Sequence, residues 1–283
     1  MAATDLQRVR HPESSPGASA RHEVRFPPSD PTVRQDQEFC EVKLDDSFKR
    51  IRFHDYGKIY EIAGLYEQIF YERLECSSHK RVSMMLSDVL RERGENPSQL
   101  RVVEVGAGNG VVAEEFRRIG VESIVGIDIL PEARMAAERD RPGVYDNYFV
   151  CDLTKLEPET LAALSLQRPN CLVTVAALGF GDIPPAAFEA AFNLVTPGGW
   201  IAFNAKLNFL SSADESGFAA LLRKMIGAGV IEIEAYRVYC HRRSVRGDRL
   251  YYAALVARKR ADIPSTGLRD TQSVHGVTPL PQK

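Results

Sequence analysis

The chain lacks any cysteine spacing that makes a site. Cys40, Cys76, Cys151, Cys171 and Cys240 are scattered, and no two of them are separated by two residues. That argues against a zinc ribbon, a thioredoxin-type centre and a disulfide scaffold, and no metal is expected. Charge of one sign is also lacking. The 36 basic and 38 acidic residues leave a net charge of −2, which gives no global attraction to nucleic acid or to an anionic membrane. No apolar run reaches the ~18 residues of a membrane span. The first residues hold charges and prolines rather than the apolar stretch of a secretory leader. A soluble, cytoplasmic protein is expected.

Apolar content divides the chain. Residues 1–36 hold five of the 16 prolines, and five arginines there balance five acids. Residues 261–283 hold three more prolines and few bulky side chains. Neither segment can offset its own ordering entropy, so a disordered arm and a disordered tail are expected. Within 37–99, Ile59, Ile62, Leu65, Tyr66, Ile69, Phe70 and Leu74 recur at helical steps, and Val82, Met85, Leu86, Val89 and Leu90 follow. A helical segment is expected there. From 100 to 260 the pattern alternates. Strand-like runs at Arg101–Val105, Ser123–Asp128, Tyr145–Val150, Cys171–Ala176 and Trp200–Lys206 are separated by helical stretches. This implies βαβ units and a doubly wound, mostly parallel α/β sheet. Val230–His241 and Arg249–Arg258 are separated too briefly for a crossover helix and must form an antiparallel hairpin, for seven strands in all.

The chemistry concentrates where the first strand ends. Glu104-Val105-Gly106-Ala107-Gly108-Asn109-Gly110 runs from that strand into a helix. Glycines there allow a tight turn and close backbone approach to a ligand. The spacing is GxGxG. A dinucleotide fingerprint would need a third glycine at position 111, where Val111 stands. The acid at the loop entrance suits a ligand with a positive amino group better than one with two phosphates. Asp128 ends the second strand 22 residues after Gly106, near the ~20 expected of a carboxylate that holds ribose hydroxyls. Asp152, after the third strand, can accept from an adenine amino group. The three acids converge on the crevice at the carboxyl ends of the strands.

On these residues, together with Thr196-Pro197-Gly198-Gly199 and the terminal hairpin, the chain resembles the class I S-adenosylmethionine-dependent methyltransferases. The resemblance implies a Rossmann-like fold with an N-terminal helical lid, and S-adenosylmethionine as cofactor with S-adenosylhomocysteine as its product. It places Gly106 and Gly108 under the methionine and ribose, Asp128 at the ribose hydroxyls and Asp152 at adenine. Glu104, Ala107, Ile129 and Leu153 flank them, and Ala176 lies beside the methyl donor. A lid tyrosine, Tyr56 or Tyr60, is implied at the cofactor carboxylate. Within the class, Ala176–Pro185 is similar to the Williams–Beuren-region methyltransferase-like branch. The fourth strand opens with Asn170 and Cys171, without the acid many members carry there. An Asp/Asn-Pro-Pro-Tyr signature is also absent after it, which disfavours a nucleic-base acceptor.

Methyl transfer needs a general base only when the acceptor must lose a proton. Asp182, His54 and His241 are the candidates, with Asn204 and Lys206 nearby on the fifth strand. The rival reading of Asp182 is a cap for the following helix; that of both histidines is an exposed surface position. The expected function is methylation of a small molecule, at O or N, with no nucleic-acid or membrane partner. Two readings stand beside it: a cofactor-binding regulatory module without transfer activity, and a nicotinamide-dependent oxidoreductase, which Val111 disfavours.

Overall fold

The structure is a computed structural model that describes residues 21–27, 32–178, 182–210, 214 and 217–264. The expected arm over 1–20 and tail over 265–283 lie outside the described residues. Strands β1 (Val24–Arg25), β2 (Phe39–Leu44) and β3 (Ser47–Arg52) form a small antiparallel sheet in the order β1-β2-β3. The β2 residues alternate, with Cys40 and Val42 buried and Glu41 and Lys43 exposed, the period of a half-buried strand. Asp45 makes the turn at φ 54°, a left-handed position that Asp tolerates.

The expected helical lid over 37–99 is thus corrected: it opens as a hairpin. Its period-two run is only six residues long and adjoins a longer helical pattern. The arm is corrected too, because Val24 is buried and pairs with Val42. Ile263 in the expected tail is also buried, and its N–H donates to Asn193 Oδ1 at 2.9 Å.

Helices α1 (Tyr56–Glu61) and α2 (Leu65–Glu67) follow, broken by Gly64 at φ 75°. A π-helical turn over Gln68–Arg73 continues α2, and α3 (Ser78–Glu92) comes next. Val82, Leu86 and Leu90 lie fully buried along one side of α3, as the helical spacing requires.

The main sheet contains β4 (Arg101–Val105), β5 (Ser123–Asp128), β6 (Asn147–Val150), β7 (Cys171–Thr174), β8 (Trp200–Lys206), β9 (Ile231–Arg243) and β10 (Arg249–Lys259). Their order is β6-β5-β4-β7-β8-β10-β9. The first five are parallel, while β10 runs antiparallel to both β8 and β9. The order reverses between β4 and β7, which opens a crevice at their carboxyl ends. Helices α4 (Val111–Arg118), α5 (Pro131–Asp140), α6 (Pro158–Leu166), α7 (Pro185–Leu194) and α8 (Phe218–Gly227) connect the strands.

Both faces of the sheet are covered, so the central strands are mostly apolar, with Glu104, Thr174 and Asn204 the buried polar residues among them. On one face Phe188 packs its ring against Phe192, Phe203 and Phe218. On the other, Phe116 and Trp200 pack with α3. Truncating Phe188 to alanine in such a site costs about 3–5 kcal/mol. Among the described residues no helix is long and apolar enough to cross a membrane.

Candidate active site

The loop between β4 and α4 turns through Gly106, Gly108 and Gly110, all at positive φ. Two positions show why glycine is required. A Cβ on Gly106 would stand 2.8 Å from the Ala177 Cβ, and one on Gly108 would overlap the Tyr60 hydroxyl. Asp128 ties this loop to the end of β5. Its Oδ2 accepts the Gly108 N–H at 2.9 Å, and its Oδ1 accepts the Leu130 N–H at 3.0 Å. Burial raises its pKa, and those N–H groups oppose the shift. Below the loop Glu104 is fully buried. Its Oε2 accepts from the Tyr145 hydroxyl at 2.9 Å, while its Oε1 has no partner. Burial pushes its pKa up to about 8, with the Tyr145 hydroxyl opposing.

A cavity of about 280 Å³ lies over these strand ends. Asp128, Ile129, Asp152 and Leu153 line one part of it, and His54, Tyr56, Tyr60, Ala176 and Asp182 another. Asp152 accepts the Thr154 N–H and hydroxyl on Oδ1, at 2.9 and 2.6 Å. It therefore caps the turn over Leu153–Lys155 and also faces the cavity. A smaller space beside the glycine loop is lined by Tyr60, His79, Gly106, Gly108 and Asn109. Two buried atoms of its lining residues, His79 Nδ1 and Asn109 Oδ1, have no partner.

The N-terminal segment supplies the opposite wall. His54 Nδ1 lies 3.1 and 3.2 Å from the two Asp182 oxygens, joining positions 128 residues apart. The helix after Asp182 starts without any side-chain cap, so the capping alternative for Asp182 is not what the structure contains. Both residues also line a second cavity, which extends to Phe53, Phe70, His241, Arg242 and Tyr252. His241 is corrected from the surface alternative: it is 5% exposed. It stacks on Tyr252 at 4.0 Å, and its Nδ1 lies 2.6 Å from Ser78 Oγ. Burial lowers its pKa, and the neighbouring Arg242 adds to that.

The two cavities meet at Ala176, which has φ 58°. A non-glycine residue holds that conformation only when its surroundings fix it. Here the Ala176 N–H donates to Asn204 Oδ1 at 2.6 Å. Asn204 is itself fully buried, and its Nδ2 donates to Tyr239 Oη and Ser78 Oγ at 2.8 and 3.1 Å. The chain of contacts from Ala176 through Asn204 to Ser78 ends at His241.

A family model described as a methyltransferase domain matches residues 78–237, more than half of the chain. The chain belongs to this methyltransferase family. It is a class I S-adenosylmethionine-dependent methyltransferase. Among solved structures the enzyme is similar to an S-adenosylmethionine-dependent methyltransferase from Clostridium acetobutylicum (12% identity, 73% of this chain and 100% of that one, TM-score 0.48). It is also similar to magnesium protoporphyrin IX methyltransferase from Synechocystis with bound cofactor (16% identity, 65% and 79%, TM-score 0.45). A third is an S-adenosylmethionine-dependent methyltransferase from Mesorhizobium loti (17% identity, 61% and 96%, TM-score 0.42). A search of curated proteins finds no match.

The methyltransferase's residues fit S-adenosylmethionine. His79 Nδ1 and Asn109 Oδ1, buried without partners beside the glycine loop, would pair with a polar ligand group, the Gly106–Gly108 backbone leaves no room for side chains, and Asp128 offers carboxylate lone pairs at the cavity wall. Sequence reasoning missed Gln35, Glu38, Ser78, His79 and Tyr252. None carries a spacing signal: Gln35, Glu38, Ser78 and Tyr252 meet their partners from distant parts of the chain. Among the described residues no three His, Cys, Asp or Glu side chains are grouped to hold a metal.

Proposed function

We propose that this methyltransferase modifies a hydroxyl or amino group of a small molecule in the cytoplasm, with His54 as general base and Asp182 as its orienting partner. The observation that carries the reading is the His54–Asp182 contact at 3.1 Å, made where the two cavities share walls. Bound S-adenosylmethionine supplies a methyl group already activated on a sulfonium. The protein's tasks are therefore alignment and proton removal. The Asp182 carboxylate accepts the His54 Nδ1–H and fixes the tautomer in which Nε2 is the basic nitrogen, the atom assigned to take the acceptor's proton. As the acceptor O–H (or N–H) proton passes to Nε2, the acceptor lone pair forms the bond to the methyl carbon. The bound cofactor would release that methyl carbon as the new bond forms, the carbon–sulfur electron pair returning to sulfur and leaving S-adenosylhomocysteine. His241 supports the wall rather than the proton transfer, since it lines the second cavity alone and its Nδ1 is engaged.

The small second cavity and the net charge of −2 support a small acceptor over a nucleic acid. Five unpaired cysteines support a reducing compartment. Turnover of His54→Gln, measured across a panel of hydroxyl- and amino-bearing acceptors, is expected to fall about 10²–10⁴-fold. S-adenosylhomocysteine affinity should stay within about twofold of the parent. Parent-like turnover by this variant would overturn the assignment.

A further inference from the structure

The second cavity has a chemistry of its own. It has a volume of about 40 Å³, room for about three waters as it stands. Joined to the larger cavity at Ala176, the space suits a single ring. Its walls are aromatic. Phe53 and Phe70 meet edge to face at 5.4 Å, and the Tyr252 ring lies under His241 at 4.0 Å. Rings placed this way favour a flat aromatic guest over a saturated one of equal size.

The polar groups narrow the choice further. Arg242 also lines the cavity, but its guanidinium is taken: it donates to Glu38 Oε2 at 2.6 Å and to the Arg243 carbonyl at 2.7 Å. Its charge is already balanced, so nothing there asks for an acidic substituent. Gln35 differs. Its Nε2 donates to the Tyr252 hydroxyl at 3.0 Å, and its Oε1 is buried without a partner. A buried amide oxygen left unmatched is unfavourable, and a ligand O–H or N–H would remove that cost.

We infer that the acceptor is a single aromatic ring carrying two neutral hydrogen-bond-donating groups, one reaching His54 for methylation and the other donating to Gln35. This rests on the reading of His54 as the base for the first group. The ring contacts and Gln35 stand apart from it.

The test titrates catechol, resorcinol and hydroquinone into the full-length protein saturated with S-adenosylhomocysteine, with phenol and cyclohexane-1,2-diol as controls, by calorimetry. At least one ring diol should bind about tenfold tighter than the saturated diol, and about fivefold tighter than phenol. Gln35→Leu should bring that diol down to the affinity of phenol while leaving phenol and S-adenosylhomocysteine unchanged. If Gln35→Leu does not fold, the comparison of ligands on the parent decides alone. Ring diols that bind no better than cyclohexanediol, or a folded Gln35→Leu that keeps the diol preference, would overturn the inference. The two readings fail separately. Ring diols that bind while His54→Gln still turns over remove the base and leave the acceptor class. Absent ring binding with turnover of another acceptor lost in His54→Gln removes the acceptor class and leaves the base.

Discussion

The Asp128 side of the active site and the His54 side are built by different means. On the first, partners are close in the chain and each of these bonds has a backbone N–H as its donor. Asp128 meets Leu130 two residues on and Gly108 twenty residues back, and Asp152 meets Thr154 two residues on. On the second, side chains meet across the whole molecule: His54 and Asp182 are 128 positions apart, Ser78 and His241 163, Glu38 and Arg242 204, Gln35 and Tyr252 217. The cofactor side is therefore fixed once β4, β5 and β6 have paired. The acceptor side exists only when the N-terminal segment has docked on β9 and β10. Such a division lets acceptor preference change through side chains without disturbing the backbone that holds the cofactor.

If the division is real, a lesion on the acceptor side should spare cofactor binding. The Glu38–Arg242 pair gives the largest test. Both side chains are at most 5% exposed, and Glu38 Oε1 also accepts the Val245 N–H at 2.8 Å. Glu38→Ala leaves a buried guanidinium unpaired, and urea unfolding should show a loss of about 3–5 kcal/mol. Glu38→Met combined with Arg242→Met should recover most of it. The folded single variant should keep its S-adenosylhomocysteine affinity within about twofold. A parallel loss of affinity would break the comparison.

The converse lesion is on Asp128. Asp128→Ala removes the acceptor for the Gly108 and Leu130 N–H groups together with the carboxylate that faces the cavity. Two charge-assisted bonds to the cofactor amount to about 3 kcal/mol, so S-adenosylhomocysteine should bind about 10²-fold more weakly by calorimetry. Unfolding in the absence of cofactor should change far less than in Glu38→Ala.

The same contrast governs what was legible in the sequence. The seven strands of the main sheet and their crossovers follow from hydrophobic periodicity. The glycine loop, Asp128 and Asp152 follow from short spacings tied to strand ends. The β2–β3 hairpin escaped because six alternating residues beside a strong helical pattern do not separate from it. His54, Asp182 and His241 could be singled out by residue type, yet nothing in their spacing says that the first two touch while the third stacks on Tyr252. Gln35 and Glu38 gave no signal at all. Their roles come from burial, which tertiary packing decides.

Tyr60 is the point where the two sides touch, so it sharpens the comparison. Its hydroxyl lies where a Gly108 Cβ would be, and Gly108 has φ 53°. Gly108→Ala adds left-handed strain of about 1–2 kcal/mol and a clash with that hydroxyl. The unfolding midpoint should fall by an amount equivalent to about 2 kcal/mol. Tyr60→Phe in the same chain should restore the steric part and leave the strain. If it restores nothing, Tyr60 is not packed on the glycine loop and the two sides are less coupled than the structure indicates.

The smallest effect separates the floor of the cofactor side from everything above it. Burial raises Glu104 from its ordinary 4.5 to about 8. Between those values the folded chain holds a proton at Glu104 that the unfolded chain has released. The resulting contribution to stability is fully present below pH 4.5 and is lost as pH rises through 8. Over that window the slope is at most ~1.4 kcal/mol per pH unit. Glu104→Gln keeps an acceptor for the Tyr145 hydroxyl and cannot ionise, so it should remove this slope. Urea unfolding at pH 6 and pH 7 should find the parent losing about 1 kcal/mol relative to the variant across that step. The acceptor-side variant Gln35→Leu, which touches no group of the Glu104 site, should follow the parent. Equal pH slopes in the parent and Glu104→Gln would mean that water reaches the carboxyl beneath the glycine loop, and that the floor of the cofactor side is not sealed.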